Sequence, residues 1–162
     1  MLYLLDANVL ITAANGLFQL DRVPQFWDWL EGMGQQGRIA VPVEIWEEFK
    51  DGRDLLGDWA RSDQMKSALL LDEEAEAAIV SEVVSIGYAP DLDDTEVAEV
   101  GRDPFLIAYA YAVRDERAVV TGEVSKPGRR RGRRKVPDVC RDLGVECLDL
   151  VELINVLDFR IP

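Results

Sequence analysis

The chain contains no histidine. That excludes the Ser-His-Asp and Cys-His nucleophilic mechanisms and every zinc site with a histidine ligand. Cysteine is scarce: Cys140 and Cys147 are the only two. They are too few for a four-thiolate zinc site or for a disulfide-built secreted scaffold, and they point to a reducing compartment. There is no run of about 18 apolar residues to span a membrane and no basic-then-apolar leader. The cytoplasm is the expected location, with no membrane partner. Positive charge is thin as well, with 18 Lys and Arg against 31 Asp and Glu and a net charge of −13. The chemistry left open is that of carboxylates, either as oxygen ligands for magnesium or manganese or as an aspartate nucleophile.

At 162 residues, 48% hydrophobic and 30% charged, the composition suits a single domain, residues 1–162, that buries about two-thirds of its unfolded surface. Strand-like and helix-like segments alternate with no linker and no internal repeat. Strands are predicted at Tyr3–Asp6, Ile39–Val41, Ala118–Thr121 and Val145–Leu148. Helical spacing covers Ala7–Ala14, Pro24–Gln36, Leu55–Trp59, Glu73–Ile86, Thr95–Val100, Pro104–Arg114 and Leu150–Leu157. Pro42 opens a helix that Gly52 ends, and Pro137 opens a short one. Asp91–Asp94 reads as an acidic loop, and a long basic loop follows Thr121. Four short strands separated by helices predict an α/β fold, a parallel sheet covered on both faces.

The acids fall at informative places in that pattern. In Tyr3-Leu4-Leu5-Asp6-Ala7-Asn8-Val9-Leu10 an apolar strand stops at Asp6, with an amide two residues on and a helix at once after it. The carboxyl end of a parallel strand is where ligands bind, so Asp6 either holds a hard cation or caps the helix. Glu44 and Glu48 lie four apart on one predicted helix, as paired ligands or as a solvated face. Asp103 precedes Pro104 at a helix start, which also suits an N-cap. Glu123 follows the third strand by two residues and could equally be an ordinary loop acid. Brought together at one sheet edge, these carboxylates repel, and a divalent cation would relieve them.

Several segments resemble the PIN-domain ribonucleases, most closely the VapC-type toxins and a related group of PIN proteins. They are Leu4-Leu5-Asp6-Ala7-Asn8-Val9-Leu10-Ile11, Val41-Pro42 leading to Glu47-Glu48-Phe49, and Asp103-Pro104-Phe105-Leu106-Ile107-Ala108-Tyr109-Ala110. Val119-Val120-Thr121-Gly122-Glu123 and Pro137-Asp138-Val139-Cys140 with Gly144-Val145 complete the set, which runs nearly from end to end. The resemblance implies a three-layer α/β/α sandwich with a short, mainly parallel sheet. It also implies an acidic pocket for Mg2+ or Mn2+ and cleavage of single-stranded RNA, as the toxin of a toxin–antitoxin pair. Asp6, Glu48, Asp103 and Glu123 would be the metal-binding and catalytic acids, with Asn8 and Thr121 orienting ligands. Glu44 competes with Glu48, which fits the spacing from Pro42 better. Glu123 departs from the family, where many members carry Asp, and the longer side chain would reach an ion through water. The family further implies tRNA or rRNA as substrate, an antitoxin protein as partner, and a homodimer.

Six of the basic residues, Arg129, Arg130, Arg131, Arg133, Arg134 and Lys135, fall in one run within an otherwise acidic chain. The run suits RNA phosphates, a docking site for an acidic protein, or a mobile, solvated loop. Trp27, Trp29, Trp46 and Trp59 sit in helical patterns and are expected in the core or an interface. Two alternatives accompany the nuclease reading. One is a non-catalytic PIN domain that binds RNA or protein. The other is a haloacid-dehalogenase-type phosphatase with Asp6 as nucleophile, although Asn8 stands where that family carries a second Asp.

Overall fold

The computed structural model describes residues Met1 to Pro162. Strand β1 is Leu2–Leu5, with Leu4 and Leu5 completely buried. An unbroken apolar run of this kind suits a strand covered on both faces. β2 is Ile39–Ala40, β3 is Arg117–Val120 and β4 is Glu146–Leu148. Val119 and Val120, stiff at χ1, favour the pleated backbone of β3. Every pairing is parallel, in the order β2-β1-β3-β4. From β1 the chain steps to one side for β2 and later to the other side for β3. That reversal opens a crevice at the carboxyl ends of β1 and β3, the place where such sheets bind ligands.

Ten α-helices flank the sheet and complete a three-layer α/β/α sandwich. They are α1 (Ala7–Asn15), α2 (Pro24–Gln35), α3 (Val43–Trp46), α4 (Leu55–Arg61) and α5 (Asp63–Leu69), followed by α6 (Ala77–Glu82), α7 (Asp94–Val100), α8 (Asp103–Tyr111), α9 (Val136–Leu143) and α10 (Leu150–Val156). α6 runs on into a π-helical segment, Val83–Tyr88. α7 and α10 begin with reciprocal capping boxes, Asp93 with Glu96 and Asp149 with Glu152. No helix is long and apolar enough to cross a membrane. The tryptophans belong to the protein's own packing: Trp27 and Trp46 are buried, and the Trp59 ring lies 5.0 Å from Trp27 and 5.9 Å from Trp46.

Three elements differ from the sequence pattern. The helix from Pro42 lasts only to Trp46. Glu48 N–H then bonds to Ile45 O and Phe49 N–H to Trp46 O, a three-residue spacing that buries Trp46 and Phe49 together. The predicted helix from Glu73 begins at Ala77 instead, because Val41 draws the chain at Leu70 into a parallel bridge and takes it away extended. α5 had no counterpart in the pattern, although Ser62 caps it through the Met65 N–H at 3.2 Å.

Candidate functional site

Pairing of Leu5 with Val120 sets the next residues, Asp6 and Thr121, side by side at the carboxyl edge. Asp6 is 4% exposed and Thr121 is buried. The Thr121 hydroxyl donates to Asp6 Oδ2 at 2.8 Å, and Asn8 Nδ2 donates to the same oxygen at 2.8 Å. Asn8 also reaches Thr121 Oγ1 at 3.3 Å, while its Oδ1 accepts the Gly122 N–H at 2.7 Å. The Glu123 N–H donates to Thr121 Oγ1 at 3.2 Å. Asp6 occupies the N-cap position of α1, yet its side chain makes no capping hydrogen bond. The carboxylate is tied across the sheet instead. Burial pushes it above the usual range against the Thr121 bond, and the Glu123 charge adds to the rise.

Asp103 is the first residue of α8, and the N-cap is Arg102, so Asp103 is not a cap either. Burial, followed by the charges of Asp6, Glu123 and Glu48, pushes its carboxyl up to about 8, with Lys135 opposing. Asp6, Glu48 and Glu123 are thus the acids whose charges bear on Asp103. Glu48 lies at the exposed rim, and its carboxyl is raised by lost hydration and by Asp6 while Arg102 pulls it down. Arg102 also braces the chain that carries Glu48, donating to Glu44 O at 2.7 Å and to Glu47 Oε2 at 3.2 Å.

Glu44 does not join the cluster. The three-residue spacing after Trp46 turns Glu48 further round the axis from Glu44 than a regular helix would. Glu44 Oε1 accepts from the Tyr109 hydroxyl at 3.2 Å, on a different side of α8 from Asp103. The i, i+4 pairing of Glu44 and Glu48 is thus corrected, and Glu48 alone faces the crevice. Glu123 is partly engaged: its Oε2 accepts the Val136 N–H at 2.8 Å, at the start of α9, and its Oε1 lies 3.5 Å from Lys135 Nζ.

Part of the basic run packs against the protein. It forms a 3₁₀ turn at Arg131–Arg133 that rests on α7, with Gly132 so close to Glu96 that an added Cβ would lie 3.0 Å from Glu96 Cβ. Arg131 has a left-handed backbone, φ 55°, and its guanidinium grips Glu96 Oε1 at 2.7 Å and Asp91 Oδ1 at 2.8 Å. Arg134 donates to Gly87 O at 2.6 Å and pairs with Asp142. Arg129, Arg130 and Arg133 form no ion pair with the protein. Arg129 and Arg133 join Lys126, Asp103 and Glu123 in lining a wholly polar cavity of about 290 Å³. Asp6 and Glu48 do not line this cavity, and a larger cleft of about 690 Å³ beside Val43 and Leu71 contains none of the four acids.

Sequence reading assigned no site role to two residues that brace the segments carrying these groups. One is Arg102. The other is Asp138, 1% exposed, which accepts the Lys126 N–H at 2.8 Å and the Ser125 hydroxyl. Asp138 thereby fixes the chain between Glu123 and the basic turn. Its charge, unusual in the buried face of α9, was the available signal.

No group of three or more carboxylates and thiols stands close enough together to enclose a metal ion unaided. The donors that do converge are all oxygen, which matches magnesium or manganese, ions that are commonly held by one or two carboxylates and several waters. Fold and site together define an α/β protein with an acidic crevice at the switch point of a parallel sheet. The chain belongs to the family described as Domain of unknown function (DUF4411), whose family model matches residues 3–161. No curated protein and no solved structure matches it.

Charge crowding at Asp103 has a measurable consequence. Its carboxyl rises from 3.8 to about 8 on folding, so the metal-free fold loses stability as pH climbs through that window, and the loss is complete above it. Asp103→Asn removes the charge and keeps the shape. In chelator, urea unfolding should show the variant close to wild type at pH 4. At pH 8 it should be more stable by a few kcal/mol, since each pH unit of displacement corresponds to about 1.4 kcal/mol. A stability difference that does not change with pH would contradict the convergence of the four acids.

Proposed function

We propose that this protein is a metal-dependent endoribonuclease of the PIN type that cleaves single-stranded RNA. The observation that carries the reading is the half-buried Asp103 carboxylate, on which the charges of Asp6, Glu123 and Glu48 all bear, at the crevice between β1 and β3. Such crowding opposes ionisation until a cation neutralises it. Asp6, nearly enclosed, and Asp103, half-buried at the start of α8, would hold Mg2+ or Mn2+ directly, and Glu48 and Glu123 would act through water. When bound, the ion supplies an acidified water and a counter-charge for the phosphate.

The chain's own residues do the positioning. Thr121 and Asn8 fix the Asp6 carboxylate, and the α9 N-terminus fixes Glu123. Lys126, Arg129 and Arg133 offer donors to consecutive phosphates along the cavity. Phosphate contacts of this kind set register and carry no sequence information. The resemblance to VapC-type proteins extends the proposal to a toxin role, with tRNA or rRNA as substrate and an antitoxin protein as partner. A non-catalytic RNA-binding or protein-binding domain is a second reading, favoured by the existing engagement of Glu123 with Val136 and Lys135. The phosphatase alternative draws no support, since Asn8 donates to Asp6 and leaves no acid beside it.

Purified protein should cleave single-stranded RNA with Mg2+ or Mn2+, stop in chelator, and resume when the metal is returned. Asp6→Asn should lower the rate by at least two orders of magnitude with an unchanged circular dichroism spectrum. Cleavage undiminished in excess chelator, or full activity in Asp6→Asn, would exclude the mechanism, and binding without cleavage would establish the second reading.

Replacing Lys126, Arg129 and Arg133 together with Ser should flatten the salt dependence of RNA binding. Three phosphate contacts to a single strand contribute a slope of about −2 in log K against log salt. Replacing Arg131 and Arg134 should instead lower thermal stability, because both are bound to the protein. Equal salt slopes for the triple variant and wild type would remove the basic turn from the RNA path.

The toxin role has its own readout. Expression of the chain alone should arrest growth of a bacterial host, and the Asp6→Asn form should not. Normal growth at expression levels where extracted protein cleaves RNA would separate the nuclease from any toxin function.

A further inference from the structure

Lys126-Pro127-Gly128-Arg129 is a tight turn, closed by the Arg129 N–H on Lys126 O at 2.9 Å, with Pro127 at the second position, where it presets the backbone. A second turn follows at once, and the Arg133 N–H bonds to Arg130 O at 3.1 Å. Such turns keep their ends within about 7 Å, so Lys126 stands beside Arg129, and Arg133 comes one turn later. These three, with Arg134 and Lys135, are the cations that line the cavity of about 290 Å³. Its acids are Glu99, Asp103 and Glu123, so five positive charges meet three negative ones and two remain in excess. Arg134 and Lys135 are engaged with Asp142 and Glu123, whereas Lys126, Arg129 and Arg133 are exposed and form no ion pair. The frame of this wall is set in advance. Asp138 takes the Lys126 N–H at 2.8 Å, Arg131 grips Glu96 at 2.7 Å, and Gly132 packs against the same glutamate. Cations gathered beforehand need not be ordered on binding. No hydrophobic residue lines the cavity, so a base or an apolar side chain finds no surface there. The volume is that of about ten waters, which suits one small and highly charged group.

We propose that this cavity seats a phosphomonoester, the group that ends a phosphorylated RNA strand. A phosphodiester within a strand carries one negative charge, whereas a monoester carries about two at neutral pH and presents three strong acceptor oxygens. The monoester therefore balances the positive excess of the lining. An end group also enters a small polar void with sugar on one side only. Arginine guanidinium groups suit phosphate oxygens in paired hydrogen bonds, and Arg129 and Arg133 are the two that the protein leaves unengaged here. The inference rests on the RNA-cleaving reading above and narrows its substrate to strands with a phosphorylated end, at which the row of phosphates along the cavity begins. The group belongs to the 5′ or to the 3′ terminus, and the two are told apart by binding.

One short single-stranded RNA, prepared with a 5′-phosphate, with a 3′-phosphate or with neither, serves as the probe, and binding is measured by fluorescence anisotropy in chelator. One of the phosphorylated strands should bind about tenfold more tightly than the other two, the effect of hydrogen bonds to a charged group. Arg133→Ser should erase that preference and melt at the wild-type temperature. Arg130→Ser removes the same charge from the same run but from outside the cavity, so it should weaken all three strands alike and keep the preference. Equal affinity for the three strands would overturn the inference. An equal gain from either end would overturn it too, because added charge alone would explain it. So would a preference that survives Arg133→Ser or is lost in Arg130→Ser. Each of these results leaves the nuclease reading standing wherever metal-dependent cleavage is seen. An end preference in a protein that cleaves nothing when metal is supplied would uphold the inference and count against the nuclease reading alone. Failure to bind any of the strands would overturn both.

Discussion

The hydrogen bond from the Thr121 hydroxyl to Asp6 joins the carboxyl ends of the two central strands. Its existence requires that β1 and β3 be neighbours in parallel and in register, which in turn requires the long crossover through α2 to α8. Once the strands are so paired, the nearly enclosed Asp6 carboxylate takes donors from the protein in place of most of its water. Asn8, the second residue of α1, and Gly122, just past β3, supply the remaining links. The other acids converge because helices that follow or precede parallel strands begin at this same edge. Asp103 enters on α8, and Glu123 leaves on the chain that follows β3.

Much of this was legible in the chain, because the physics involved is local. The unbroken apolar run Leu2–Leu5 ending at Asp6 marked a strand buried on both faces. The pair Asp103-Pro104 marked a helix start, although Arg102 and not Asp103 proved to be its N-cap. What was illegible depended on partners distant in sequence. The break of α3 after Trp46 follows from the joint burial of Trp46 and Phe49, and periodicity alone does not distinguish three-residue from four-residue spacing over one turn. Glu44 and Glu48 were separated by that break. The start of α6 was delayed by a bridge between Val41 and Leu70, which no local pattern encodes.

Charge runs gave the most partial information. The acidic loop Asp91–Asp94 and the basic run Arg129 to Lys135 read as separate segments of opposite sign, the second suited to RNA phosphates, an acidic protein or solvent. In the fold they clasp each other, through Arg131 with Asp91 and Glu96. Half of the basic run thereby became architecture, and a left-handed arginine is tolerated because two carboxylates hold its head in place. Composition cannot tell which cations of a run face solvent. The structure leaves Arg129, Arg130 and Arg133 for external partners.

Arg134 connects regions that are otherwise separate. One guanidinium nitrogen holds the Gly87 carbonyl, and the other holds the Asp138 carbonyl at 3.3 Å and the Asp142 carboxylate. It acts as a strut between the outer turn and the inner wall of the crevice. One side chain thus ties the π-helical turn, the first turn of α9 and the end of the basic turn, so its loss would release three segments at once where most surface arginines would release none.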